Sequence, residues 1–387
     1  FELGGHSLMA VSLIERLRRA GLALDVRGVF STPVLSDMAQ AIEAHQDKPA
    51  VVVPPNRIPA DCTAITPDLL PLVTLTQPEI DRITDTVSGG ASNIQDIYPL
   101  APLQEGILFH HLLQEQGDTY LLRSVVAFTH RERLDAFLGA LQHVINRHDI
   151  LRTAVCWQDL SQPVQVVWRQ AILPINHFEP TSPDEVLEQL QAHTEPRTRR
   201  IDLSQAPLFR ADIAHDPKQN EWLLALSFHH LISDHMTLAL IVGEIRLLLQ
   251  HRADALPTPL PYRNFIAQTL SVPNSAHEAY FRDQLADVDE PTAPFGLLNV
   301  QGSGEDIHEA RLVLDSTLAS AIRQQARSLG VSPGVLFHVA WAQVLAQTSG
   351  RDDVVFGSVL LGRLAGTADA DRIMGMFINT LPLRISL

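Results

Sequence analysis

Apolar residues recur at every third or fourth position in several segments, and this spacing predicts helices that bury one face. The strongest pattern lies between Leu134 and Ile145. Further helices are predicted at residues 184–195, 237–251, 316–329 and 333–347. Apolar runs that favour strands lie at residues 165–168, 222–228 and 354–359. From about residue 93 the pattern therefore predicts a mixed α/β unit without a strict βαβ order, in which the almost wholly apolar run at 222–228 is buried on both faces.

The first 48 residues have a helical pattern of their own. Val11, Ile14 and Leu17 share one helix face, and residues 34–42 supply a second apolar face. Two helices in so short a segment bury little apolar surface. We therefore expect this helical unit to be incomplete, with a further helix upstream of Phe1.

Residues 49–92 contain seven prolines, which interrupt any long element. They predict a linker of intermediate stiffness, with short apolar pieces at 69–73 and 80–83 that can dock onto a neighbour. The chain starts without Met, and its last residues, 381–387, have the pattern of an unfinished strand. Both ends are expected to be cut from a longer polypeptide.

Composition narrows the class of protein. Of 387 residues, 45% are hydrophobic and 19% are charged, which excludes wholesale disorder. The net charge of −15 argues against binding to nucleic acid or anionic lipid. Cys62 and Cys156 are too far apart for a disulfide framework or a metal motif, which fits a reducing cytoplasm. No apolar run approaches the roughly 20 residues of a membrane span.

Ser7 is the first candidate for chemistry. It follows Gly4 and Gly5, just where the apolar pattern predicts a helix N-terminus. The positive end of a helix dipole stabilises a phosphate ester at such a position. An ordinary N-cap serine has the same spacing, so the spacing alone leaves both interpretations open.

Two histidine pairs are the next candidates. Residues 228–237 are Phe-His-His-Leu-Ile-Ser-Asp-His-Met-Thr, between an apolar strand and an apolar helix. His229 and His230 are adjacent, so on a strand one faces a cleft and the other packs inward. Histidine is the natural general base near neutral pH, although a zinc site or two hydrogen-bonded core histidines are alternatives. A second pair, His110 and His111, precedes Gly117-Asp118, and it can also be the surface end of an amphipathic helix.

The residues around Ser7 resemble a known carrier domain. Residues 3–8, Leu-Gly-Gly-His-Ser-Leu, and residues 30–33, Phe-Ser-Thr-Pro, resemble the thiolation (peptidyl carrier) domain of nonribosomal peptide synthetases. In that family the matching serine carries 4′-phosphopantetheine. The resemblance therefore implies that Ser7 is modified by a phosphopantetheinyl transferase.

The rest of the chain resembles the condensation domain of the same synthetases, within the superfamily of CoA-dependent acyltransferases. His229, His230 and Asp234 match its His-His-x-x-x-Asp signature. Four further strings match its motifs in order: residues 98–106, 146–153, 262–265 and 374–384. The string at 146–153 has Asp in place of the usual Glu, and the string at 262–265 is a weakened form of Tyr-x-Asp-Phe. His235 stands where the family usually has glycine. That residue, Thr237 and the second histidine pair resemble the dual epimerisation/condensation subtype.

The resemblance implies an incomplete helical-bundle carrier followed by a two-lobed α/β domain like chloramphenicol acetyltransferase, with a truncated second lobe. The implied boundaries are carrier 1–48, linker 49–92, first lobe 93–270 and second lobe 271–387. The implied reaction is attack by the amine of a carrier-bound acceptor on the thioester at Ser7, preceded by L-to-D epimerisation. Tethering both substrates makes their encounter intramolecular.

Residue roles follow from the same resemblance. His230 is implied to act as the base or to position the amine. The implied catalytic residues also include His229 and the second pair, His110 and His111. This second pair is implied to assist epimerisation or to shape the donor tunnel. Asp234 is expected to hold its loop through an ion pair with Arg147 or Arg152. Asn379 belongs to the last motif, and no metal is expected.

The implied partners are an upstream adenylation domain and downstream adenylation and carrier domains of one cytoplasmic assembly line for secondary-metabolite peptides. Three other functions are open. They are a plain condensation domain without epimerisation, a non-catalytic carrier or docking module, and a free-standing CoA-dependent acyltransferase, against which the carrier motif argues.

Overall fold

The computed structural model describes residues 7–22, 24, 28–29, 32, 34–43, 52–298, 308–364 and 369–387. Its helices are α1 (Ser7–Arg19), α2 (Leu35–Glu43), α3 (Gln77–Thr86), α4 (Pro102–Leu113), α5 (Arg131–Arg147), α6 (Val186–His193), α7 (His235–Leu249), α8 (Arg263–Leu270), α9 (Asn274–Leu285), α10 (Ser316–Ser328) and α11 (Pro333–Ser349). Its strands are β1 (Ile94–Pro99), β2 (Leu121–Phe128), β3 (Thr153–Cys156), β4 (Val164–Trp168), β5 (Ile175–His177), β6 (Phe209–Asp216), β7 (Glu221–His229), β8 (Asp353–Leu361) and β9 (Ile378–Ser386).

Contacts divide these elements into two units. The first, called the histidine unit here, comprises Val51–Ser271 and Arg372–Ile378. The second, called the terminal unit, comprises Phe1–Ala50, Val272–Asp371 and Asn379–Leu387. The histidine signature therefore belongs to a unit that also includes part of the last sequence motif.

Two sheets build the histidine unit. The strand order is β1-β4-β3 in the smaller sheet and β2-β7-β6-β5 in the larger one. All pairs are antiparallel except β5 with β6. In the larger sheet Leu121, the first residue of β2, lies opposite His229, the last residue of β7. The chain just before β2 therefore meets the chain just after β7.

Strong periodicity predicted the long elements correctly. In α5 the residues at helical spacing are buried, including Leu134, Leu141 and Val144 at 0% exposure. The predicted strands and the four other predicted helices agree with the structure within two residues at each end. The apolar face predicted at residues 34–42 is not buried throughout, because Val34 and Leu35 are exposed.

Residues 52–92, from the predicted linker, form a layer of the histidine unit. Ten of their apolar residues are buried in one core cluster with β1, β3 and β4: Ile58, Cys62, Ile65, Leu70, Val73, Leu75, Ile80, Ile83, Val87 and Ala91. The prolines fix the path of the chain, and the apolar residues between them cover the smaller sheet. The docking expected for residues 69–73 and 80–83 is therefore found, whereas the interpretation of the rest of this segment as a linker is corrected.

The terminal unit contains the β8-β9 sheet and α1, α2 and α9–α11. Arg384 on β9 binds Asp353 on β8 through Nη2 at 2.6 Å. At the end of α1, Arg19 donates to Asp369 and Asp371 at 2.5 and 2.6 Å. In the described part of the chain no single helix can cross a membrane by length and apolarity, although α10 and α11 pass that test as a pair bent by 105°.

Glu79 connects the 52–92 layer to the loop between β3 and β4. Its Oε2 accepts hydrogen bonds from the backbone N–H and the hydroxyl of Thr76, both at 2.7 Å, and its Oε1 accepts the Ser161 N–H at 2.6 Å. These hydrogen bonds lower the pKa of Glu79 to about 2. The ionised carboxylate therefore stabilises the fold above its ordinary pKa, and this contribution is lost as the pH falls towards the folded value.

Replacing Glu79 with Gln removes that charge while keeping the size of the side chain. We expect a melting temperature lower by several degrees near neutral pH, and a difference from wild type that shrinks as the pH falls from about 5 to about 3. Thermal unfolding across this range measures it, with the exposed Glu115→Gln as the matched control. A difference that is constant with pH would contradict the assigned role of the carboxylate.

Candidate active site

The histidine signature lies where β7 ends and α7 begins. His229 is the last residue of β7, and Asp234 caps α7 by accepting hydrogen bonds from the N–H and hydroxyl of Thr237, both at 2.8 Å. Thr237 is bound in turn to the backbone of Gly375, whose N–H donates to the threonine oxygen at 2.9 Å. The signature aspartate therefore fixes the first turn of α7.

His229 is wholly buried, and both of its ring nitrogens are used. The Leu231 N–H donates to Nδ1 at 3.1 Å, while Nε2 lies 3.0 Å from Asp118 Oδ2. Because Nδ1 accepts a hydrogen bond, the ring proton is on Nε2 and is donated to Asp118. Burial lowers the pKa of His229, and the bond to Asp118 only partly opposes this effect. The ring is therefore neutral near pH 7.

Asp118 joins the second histidine pair to the signature. Its Oδ2 also lies 2.6 Å from His111 Nδ1, and its Oδ1 accepts the Tyr120 N–H at 2.9 Å. Burial raises the pKa of Asp118, but the hydrogen bonds from His111, His229 and Tyr120 outweigh burial and hold it well below its ordinary range. Asp118 was not among the predicted site residues, although it stands in the quoted string His-His…Gly-Asp.

The loop before Asp118 has a fixed shape. Gly117 has a φ of +67°, and a Cβ there would lie 2.0 Å from the backbone oxygen of Arg197. The Asp118 N–H donates to the Pro196 oxygen at 2.9 Å. Arg200 donates to the carbonyl oxygens of His111 at 2.6 Å and Gly117 at 3.1 Å. The glycine of the motif is thus required by close backbone approach, and it places the carboxylate.

The other member of each histidine pair lies outside the core. His230 is half-buried, and its N–H donates to the Tyr120 oxygen at 2.9 Å. Among the described residues its Nδ1 has no hydrogen-bond partner. His110 is exposed, with its ring centroid 6.1 Å from that of Tyr120. Adjacent histidines therefore point to different environments, as expected for the signature pair.

The remaining motifs also contribute to the histidine unit, the last of them through its residues up to Ile378. Gln104 donates to the Leu231 oxygen at 2.8 Å, so the string at 98–106 contacts the turn after His229. Asp149 accepts the Tyr262 N–H at 2.9 Å, and the Tyr262 hydroxyl donates to the Met376 oxygen at 2.5 Å. These bonds connect the three later strings, at 146–153, 262–265 and 374–384.

The predicted ion pair of Asp234 with Arg147 or Arg152 is corrected. Arg147 extends from α5 and binds Glu244 on α7 at 3.0 Å. Arg152 donates to the Trp168 oxygen and to Gln95 Oε1, the latter at 3.1 Å. Both arginines therefore hold other elements of the unit together.

Ser7 and Asn379 lie in the terminal unit. Ser7 is the first residue of α1, whose first turn carries no acidic residue. A first helical turn without an acidic residue suits a phosphodiester, so the described backbone of α1 fits a phosphopantetheine arm. The Ser7 side chain, residues 1–6, Phe30, Ser31 and Pro33 lie outside the described residues. Asn379 lies in β9, where its Oδ1 accepts the Thr380 N–H at 2.9 Å.

Comparison with known families identifies this arrangement. The family model described as "Condensation domain" matches residues 94–387, and the one described as "Phosphopantetheine attachment site" matches residues 1–42. The chain belongs to the condensation domain family, whose members form amide bonds, and it begins with a carrier segment for covalently attached 4′-phosphopantetheine.

Its curated relatives are peptide synthetases. Malpinin synthetase of Mortierella alpina is 49% identical over 389 residues, which cover 100% of this chain and 5% of that protein. A linear gramicidin synthase polypeptide of Brevibacillus parabrevis is 30% identical over 397 residues, which cover 99% of this chain and 8% of that protein. The chain thus spans under a tenth of their length.

Solved structures confirm the predicted fold. The first condensation domain of the calcium-dependent antibiotic synthetase, in complex with a substrate analogue, has a TM-score of 0.56 and 18% identity over 75% of this chain and 70% of that one. The condensation domain of the monacolin K polyketide synthase MokA has a TM-score of 0.54 and 19% identity, over 76% and 68%.

Gly117→Ala tests whether the loop places Asp118. The added Cβ meets the Arg197 backbone and a φ that alanine rarely adopts, so we expect a clear fall in melting temperature and loss of the buried carboxylate network. Gly106→Ala in α4 is the control, because a Cβ there meets nothing within 4 Å and alanine favours a helix by roughly 0.5–1 kcal/mol. Equal stability of the two variants would contradict the requirement for glycine at 117.

Proposed function

We propose that this chain holds an aminoacyl or peptidyl donor as a thioester on the phosphopantetheine of Ser7, inverts the donor from L to D, and joins it to the amine of a downstream carrier-bound acceptor. In the joining step the amine nitrogen attacks the thioester carbonyl and the C–S bond breaks. An amide and a free thiol are formed, and the amine loses one proton.

The half-buried position of His230 supports a role in the joining step. It lies directly after β7, where its backbone N–H donates to the Tyr120 oxygen and the next N–H, of Leu231, donates to His229 Nδ1, so rigid elements hold the backbone that carries its ring. A neutral imidazole there accepts the amine proton or orients the amine lone pair towards the carbonyl. Holding both substrates on carriers contributes several kcal/mol of barrier lowering in comparable intramolecular reactions.

One observation carries the epimerisation part of the proposal. The Asp118 carboxylate binds His111 and His229 at once, so the second histidine motif is built into the signature turn. Inversion removes the Cα proton from one face and returns a proton to the other, and a second acid–base group beside the one that serves condensation suits this task. A plain condensation domain is the alternative function, and it gives this second buried histidine no chemical task.

The partners are proposed from the family and its relatives. They are an upstream adenylation domain that loads the donor, downstream adenylation and carrier domains that present the acceptor, and a phosphopantetheinyl transferase. A cytoplasmic assembly line suits the two free, buried cysteines. A non-catalytic carrier or docking module is a further alternative, and it predicts that His230 is dispensable.

Loading of Ser7 is directly testable. A broad-specificity phosphopantetheinyl transferase with CoA should add one arm to the chain, and Ser7→Ala should abolish the mass increase. Intact-mass spectrometry measures it, with Ser36→Ala, an exposed serine of the same carrier segment, as the control. A full mass increase on Ser7→Ala would disprove the assignment.

The stereochemical course tests the reaction. In the complete module, an L-donor loaded on Ser7 in deuterated solvent should give a condensed product with D-configuration and deuterium at Cα. His230→Ala should lower condensation of either donor enantiomer by a factor of about 100 or more, as for loss of an acid–base group. Chiral chromatography with mass spectrometry of the product decides. An all-L product without deuterium leaves the plain condensation function in place.

A further inference from the structure

We infer that His111, oriented by Asp118, is the second proton-transfer group of the epimerisation, and that His229 is a positioning residue that takes no proton. This inference rests on the proposed function. It gives different roles to His111 and His229, two buried histidines that share one carboxylate. It also gives His111 a role that its exposed neighbour His110 does not have.

His229 has no nitrogen left for chemistry. Its Nδ1 accepts the Leu231 N–H and its Nε2 donates to Asp118, at 3.1 and 3.0 Å. Protonating the ring requires breaking the bond from Leu231, and it places a cation where the side chain is 0% exposed. The function of His229 is therefore to hold Asp118 against the end of β7.

His111 has the opposite arrangement. The ionised Asp118 carboxylate accepts the proton of His111 Nδ1 at 2.6 Å, so in the neutral form of the ring the lone pair is on Nε2. No described residue hydrogen-bonds to that Nε2. A carboxylate on one nitrogen both fixes the tautomer and stabilises the imidazolium formed when the other nitrogen accepts a proton.

The backbone holds His111 in this position. It lies in the last turn of α4, and Arg200 donates to its carbonyl oxygen at 2.6 Å. Its ring is 5.9 Å from that of His229, edge to face. His110, one residue earlier, is exposed and makes no hydrogen bond to Asp118. Only the second histidine of the pair belongs to the carboxylate network.

A metal ion is the other use of this cluster, because ligand atoms of His111, Asp118 and His229 lie within 4.8 Å of one another. The tautomer of His229 opposes it. A metal on Nε2 needs a lone pair there, while Nδ1 is already an acceptor for Leu231, so the ring would have to lose its only proton. Hydrogen bonds, with one proton between each histidine and the carboxylate, account for the geometry.

The proton transfers balance as follows. One imidazole removes the Cα proton of the donor, and the electron pair moves into the thioester carbonyl to give an enolate. The other imidazole takes a proton from solvent before this step, delivers it to the opposite face and becomes neutral again. His230 and His111 supply the two rings, and solvent then restores their original protonation states.

His111→Gln in the complete module tests the inference, because glutamine keeps a donor towards Asp118 but cannot relay a proton. With an L-donor we expect the yield of D-product, and α-deuterium in it, to fall by a factor of about 100 or more. With a D-donor, which needs no inversion, condensation should stay within about threefold of wild type. That second arm also reports whether the variant is folded.

Two further variants sharpen the test. Asp118→Asn should slow α-proton exchange with an L-donor more than it slows condensation of a D-donor, because an amide stabilises a proton on the His111 ring less than a carboxylate does. His143→Gln, an exposed histidine on α5, is the neutral control. A His110→Gln variant that loses D-product as strongly as His111→Gln overturns the assignment to His111.

The outcomes separate the two proposals. Wild-type product that is entirely L overturns the proposed epimerisation and this inference together. Wild-type inversion that survives in His111→Gln overturns the inference alone. Equal loss of activity with L- and D-donors assigns His111 a structural role and overturns the inference as well. Activity that depends on added Zn²⁺ and is removed by a chelator overturns the proton relay in favour of a metal site.

Discussion

The buried carboxylate of Asp118 is the interaction on which the site depends. An isolated charge in the core is strongly destabilising, and it is tolerated only where hydrogen bonds replace water. Asp118 receives three, from His111, His229 and the Tyr120 N–H. Removing one partner leaves the charge less compensated. The network therefore holds His111 and His229, one histidine from each motif, in fixed positions around the same carboxylate.

Elements far apart in sequence are needed to hold that carboxylate. The β2-β7 pairing brings Leu121 opposite His229, and so brings Asp118 within reach of a residue 111 positions later. The loop at Gly117 follows the backbone of residues 196–197, and Arg200 fixes the end of α4. A shift of the β2-β7 register by one residue would turn His229 to the other face of the sheet.

The sequence predicted those parts of the fold that local patterns determine. The helical spacing of α5 follows from burial of one face, and the apolar run of β7 follows from burial of both faces. The structure has both elements. In the 52–92 layer only the docking of the pieces at 69–73 and 80–83 was predicted, because the other apolar residues have no regular period and their burial depends on the smaller sheet. Asp118 could be identified from the sequence as part of a motif. Its contact with His229 could not, because that contact depends on the register of β2 against β7. Arg147 or Arg152 was assigned to Asp234 by resemblance of motifs, whereas in the structure Arg147 binds Glu244 and Arg152 binds Gln95.

The proline-rich layer has a consequence for recombining domains between synthetases. A junction placed at residue 92, where composition changes, would separate ten buried apolar residues from the sheet that they cover. The smaller sheet of the incoming domain would then pack against a foreign segment or expose β1, β3 and β4 to water. A junction before residue 52 keeps that layer with its sheet, so the natural unit of exchange begins some forty residues earlier than the family match at residue 94 suggests.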